Sequence, residues 1–118
     1  MGNRNRQAAL LSVIRSVKPS DRLWSPAADV YTSGNGWLVK VDVAGICHDE
    51  LTIEIDDSIM RIGGCRRDTV YRDGFRCQQM EITYSRFEKT IRFPCSIDTA
   101  SVAHDYHDGF LIIKLQCE

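Results

Sequence analysis

The sequence predicts an all-β chain folded as an antiparallel β-sandwich, and three observations carry that prediction. Apolar and polar residues alternate with period two through most of the chain after Trp24, turn dipeptides separate the alternating runs, and no run there keeps the apolar spacing of a long helix. Short strands punctuated in this way enclose a core by stacking two sheets face to face. At 118 residues the chain fits one domain, able to bury roughly 65% of its unfolded surface.

The elements follow in order. In residues 1–23, Arg4, Arg6, Arg15, Lys18 and Arg22 surround AALLSVI, whose Ala8, Leu11 and Ile14 fall at helical spacing. A short, helical N-terminal arm is expected there, ahead of a sandwich over 24–118. Its apolar face is too short for a firm membrane anchor. Val39, Val41 and Val43 then share one strand face opposite Lys40 and Asp42. Leu51, Ile53 and Ile55 oppose Thr52 and Glu54, Phe87, Ile91 and Phe93 oppose Glu88 and Arg92, and Leu111, Ile113 and Leu115 oppose Lys114. Asn35-Gly36, Asp73-Gly74 and Asp108-Gly109 are expected to supply the positive φ of tight hairpins, and Asp56-Asp57-Ser58 another turn. The last strand also carries Phe110 and Ile112 on its second face, so it must be central or covered. Residues 65–79, arginine-rich and aperiodic, are expected to leave the sandwich as an excursion.

Composition removes several functions. Fifteen Lys and Arg balance sixteen Asp and Glu, a net charge of −1 that gives no general pull toward nucleic acid or anionic membrane. No segment is apolar for long enough to span a bilayer. Five cysteines, without a CxxC pair and with no signal peptide recognisable ahead of them, fit a reducing cytoplasm. Cys77, in a polar loop, is the thiol most open to redox chemistry.

No catalytic residue, metal site or cofactor is expected. In HDYHD, residues 104–108, His104 and His107 stand three apart, which on a strand sends them to opposite faces and keeps them from one ion; His48 lies far away in sequence. No GxSxG elbow, phosphate-binding glycine loop or dinucleotide fingerprint is present. The carboxylate pairs Asp49-Glu50 and Asp56-Asp57 fit a strand lead-in and a turn.

Residues 24–67, WSPAADVYTSGNGWLVKVDVAGICHDELTIEIDDSIMRIGGCRR, resemble the alpha-crystallin domain of small heat-shock proteins. The pattern there opens with Trp and Pro before Asp-Val-Tyr, bends at a Leu-Pro-Gly-like site, and continues with an acidic pair, an alternating strand and an apolar strand closing on Gly. EITYSRFEKTIRFPCSI (81–97) and HDYHDGFLIIKL (104–115) resemble the remaining motifs. Ala44 replaces the usual Pro, His104 the usual Ala, and Asp108 the usual Asn. The sequence ends at Glu118, so the family's apolar C-terminal tail, which builds large assemblies, is expected to be missing.

The resemblance implies an immunoglobulin-like sandwich and an ATP-independent holdase that keeps non-native client proteins from aggregating. It assigns client contact to Leu10, Leu11, Val13 and Ile14 of the arm. An edge groove falls to Leu51, Ile53, Ile55, Val102 and His104. Residues 66–79, including Arg66, Arg67, Tyr71, Phe75 and Arg76, match the long loop of bacterial and plant members and imply a homodimer, with larger oligomers or co-assembly with longer relatives beyond it. The alternative is an adaptor similar to the CS-domain co-chaperones, or a scaffold subunit binding a dedicated folded partner; those co-chaperones lack the long loop.

Overall fold

The computed structural model describes residues 24–68 and 73–117. Seven strands follow one another: β1 (Ala28–Ser33), β2 (Gly36–Asp42), β3 (Thr52–Asp56), β4 (Ile59–Cys65), β5 (Arg86–Arg92), β6 (Ser101–His107) and β7 (Phe110–Gln116). A single 3₁₀ turn, His48–Glu50, leads into β3. The strands form two antiparallel sheets, ordered β1-β2-β7-β6 and β3-β4-β5. The expected all-β sandwich is what the chain adopts.

Alternation decides which side chains meet between the sheets, because successive residues of a strand point to opposite faces. Val39 and Val41 of β2 with Leu111, Ile113 and Leu115 of β7 face Met60 and Ile62 of β4 and Phe87 and Ile91 of β5, and all are buried. Val43, Ile46, Phe93 and Ile97 close the ends of this core. No polar or charged side chain is buried among the described residues. Trp37 of β2 meets Phe93 edge to face, ring centres 5.2 Å apart, and Trp24 meets Phe87 the same way at 5.5 Å. These aromatic pairs clamp one sheet's entry onto the other.

Strand β7 is apolar on both faces because it is central, hydrogen-bonded to β2 and to β6. Its outer Phe110 and Ile112 are half-buried, and the Lys40 ammonium lies 4.4 Å from the centre of the Phe110 ring.

Of the four expected turns, three form, including the one at Asp57-Ser58 where Asp57 has φ 58°, and one is corrected. Asp108 and Gly109 carry φ of 53° and 83°, the left-handed pair that a two-residue hairpin needs; Gly74 has φ 83° at a turn, which no strand of the described residues flanks as a hairpin. The first hairpin, however, turns at Gly34-Asn35 and not at Asn35-Gly36, since Ser33 pairs with Gly36, and none of the three residues has positive φ. Gly36 is required for another reason. A β-carbon on it would stand 2.1 Å from the Leu115 carbonyl oxygen of the neighbouring strand.

Candidate functional site

β3 and β6 are edge strands of opposite sheets, and the segment leading into β3 brings the two together at one margin of the sandwich. His48 of the 3₁₀ turn sets its ring 5.7 Å from that of His104 and 6.3 Å from that of Tyr106, both on β6. Tyr106 fixes the arrangement. Its hydroxyl donates to the Val43 carbonyl at 2.8 Å and accepts the Ile46 N–H at 3.4 Å, so the connection between β2 and β3 is tied to β6.

The residues expected to line an edge groove sit on these two strands, except Leu51, which immediately precedes β3. Leu51, Ile53 and Ile55 are half-buried, packed against the core from its margin. Val102 is 43% exposed, and His104 is exposed beside it on the same face of β6, its backbone paired with Ile113. His107 faces the other way and meets the Asp108 carboxylate at 3.0 Å. An edge strand keeps unpaired backbone N–H and C=O groups. Among the described residues this margin therefore offers both apolar side chains and open backbone.

The second exposed apolar region is the excursion between β4 and β5. Arg66 anchors its root: the backbone N–H donates to Ser85, Nε to the Thr83 carbonyl at 2.9 Å, and the guanidinium to the Ala44 carbonyl at 3.2 Å while lying 3.8 Å from the Trp24 ring centre. Arg67 pairs with the Glu50 carboxylate, whose hydrogen bond and negative charge raise the guanidinium pKa. Farther out, Phe75 is 78% exposed, Met80 58% and Ile82 60%. With Arg76 and Tyr84 they border one shallow depression. Met80 and Ile82 were absent from the sequence expectation, although Met80, Ile82 and Tyr84 alternate with Glu81 and Thr83 as a strand-forming segment would. Tyr71, and Leu10, Leu11, Val13 and Ile14 of the arm, lie outside the described residues.

Among the described residues, no cluster of three or more His, Cys, Asp or Glu is arranged to hold a metal ion, and no helix is long and apolar enough to cross a membrane. The five cysteines are free, with Cys47, Cys77 and Cys95 exposed and Cys65 and Cys117 half-buried.

The sequence model of the Hsp20/alpha crystallin family matches residues 29–118. The chain is similar to the "Small heat shock protein C4" of Rickettsia felis, 24% identical over 96 residues, which are 81% of this chain and 59% of the relative. It is also similar to the "22.7 kDa class IV heat shock protein" of Pisum sativum, 26% identical over 103 residues, 86% of this chain and 52% of the relative. The chain thus spans between half and three-fifths of the length of these two relatives. Among solved structures, "HSP18.5 from E. histolytica" superposes with a TM-score of 0.66 at 24% identity, covering 80% of this chain and 88% of that one, a likeness of fold.

Proposed function

The chain belongs to the Hsp20/alpha crystallin family, a family of small heat-shock chaperones and not of enzymes, and on that premise we propose that it is an ATP-independent holdase for partly unfolded proteins. The open margin between β3 and β6 carries this reading. Unfolding clients expose apolar segments and unpaired strand edges, the two features through which they aggregate. Leu51 just before edge strand β3, Ile53 and Ile55 on it, and Val102 and His104 on edge strand β6 of the other sheet present matching chemistry: side chains that take apolar groups and backbone that extends a sheet. Neither kind of contact requires nucleotide or catalysis.

Three further assignments belong to the same reading. Residues 24–118 act as the platform, and residues 1–23 as an arm whose Leu10, Leu11, Val13 and Ile14 add client contacts. The loop over residues 66–79, with the segment that follows it to Ser85, joins two copies into a homodimer. Its exposed Phe75, Met80 and Ile82 need cover, and β1, exposed at every residue after Ala28, is an edge that a second copy's segment can extend. A reducing compartment such as the cytoplasm suits five unpaired thiols.

Light scattering from a heat-denatured model client, without ATP and across a range of protein-to-client ratios, tests the function. Suppression near stoichiometric ratio is the expected result. A folded chain that leaves scattering unchanged, yet captures one folded partner stoichiometrically in a pull-down, would identify an adaptor instead. For the assembly, multi-angle light scattering should give the mass of two chains or more at micromolar concentration, and a monomer would refute the dimer.

A further inference from the structure

We propose that His48 and His104 together form a binding site for a divalent transition cation of the zinc class at the mouth of the β3–β6 margin. Sequence spacing paired His104 with His107 and rightly separated them, since they occupy opposite faces of β6. The fold supplies a different partner. His48 arrives from the 3₁₀ turn before β3, and its ring centre stands 5.7 Å from that of His104, the planes tilted by 38°.

That spacing suits a shared ion. With metal–nitrogen bonds of about 2.0–2.1 Å, each ring centre sits about 3 Å from the metal, and two imidazoles on one tetrahedral ion hold their centres about 5–6 Å apart. Both residues are exposed, so an ion can reach them.

The two segments that carry the pair are also tied together. The Tyr106 hydroxyl binds both the Val43 carbonyl and the Ile46 N–H, which ties the connection carrying His48 to the strand carrying His104. Chelation then requires rotation of two exposed side chains and no rearrangement of the segments that bear them, which keeps its cost down. Among the described residues no third His, Cys, Asp or Glu completes the set. Water fills the remaining positions, and the site is weaker than a closed four-ligand zinc centre. A bound ion cross-links the approach to β3 with β6 and narrows the entrance to the margin. This site is independent of the holdase reading.

The test is calorimetric titration of zinc chloride into the reduced, full-length protein and into three variants, His48→Ala, His104→Ala and His107→Ala. All five cysteines remain in each variant, so thiol-bound zinc is a common background. The expected result is one binding event per chain that is intact in His107→Ala and weakened in both His48→Ala and His104→Ala. Removing a ligand should cost at least the roughly 10- to 100-fold lost when only a supporting group is removed. Circular dichroism should show that all four proteins are equally folded, and zinc should raise the unfolding midpoint of the wild type and of His107→Ala above that of the other two. Isotherms indistinguishable across the four proteins, or loss in only one of the His48 and His104 variants, would overturn the shared site.

Discussion

A β-carbon on Gly36 has nowhere to go, because the Leu115 carbonyl oxygen occupies its place at 2.1 Å. That oxygen belongs to backbone in the central strand and cannot swing aside as a side-chain tip would. Gly36→Ala should therefore destabilise the protein by about 1–3 kcal/mol, the usual cost of overpacking, read as a lower urea midpoint. The same residue shows where sequence reading stops. Asn-Gly flanked by alternating apolar residues is a strong hairpin signal, and it located the hairpin to within one residue, but nothing local reveals that Gly36 serves the adjacent β7. By contrast Asp108-Gly109, where both residues take positive φ, was legible because turn chemistry is local.

At the scale of elements, the strands were readable because a half-buried strand imposes period two on its own sequence. The order of those strands in the sheets was not, since it depends on contacts between distant segments. The Tyr106 hydroxyl is one such contact, reaching residues 60 and 63 positions away. It holds the β2–β3 connection against β6, so Tyr106→Phe should loosen that connection while leaving the sheets intact. The expected loss is about 1 kcal/mol, typical of a hydrogen bond, with hydrogen exchange at the Ile46 amide accelerated more than at Val41 in mid-strand. Equal acceleration at both would mean that the hydroxyl supports the whole fold. The meeting of His48 with His104 was hidden for the same reason, since no spacing rule links a turn before one edge strand to the middle of another. Arg66, whose position in an arginine-rich loop suggested a role in dimer contacts, is engaged within its own chain by three hydrogen bonds and a tryptophan ring.

At the scale of the molecule, two short sheets share one core and, among the described residues, leave β1, β6, β3 and β5 as edges, β5 bridged at its outer side by Trp24. If the β3–β6 margin captures clients, a charge placed there should weaken capture without unfolding the sandwich, because Ile53 is only half-buried. Ile53→Glu is expected to leave the circular dichroism spectrum intact and to raise the amount of chaperone needed to suppress client scattering; unchanged suppression would exclude the margin from client binding. The core itself has a consequence for acid stress. Stability varies with pH only where folding changes how tightly a group holds its proton, and the largest changes accompany burial or pairing of charge. No described side chain in this interior is ionisable or even polar. Urea midpoints measured from pH 5 to pH 8 should therefore stay nearly level, and a slope steeper than about one proton per molecule would contradict this. Acidification that protonates the buried carboxylates of other proteins finds nothing to titrate in this described interior, so the packing between the two sheets does not depend on the protonation state of any group within it.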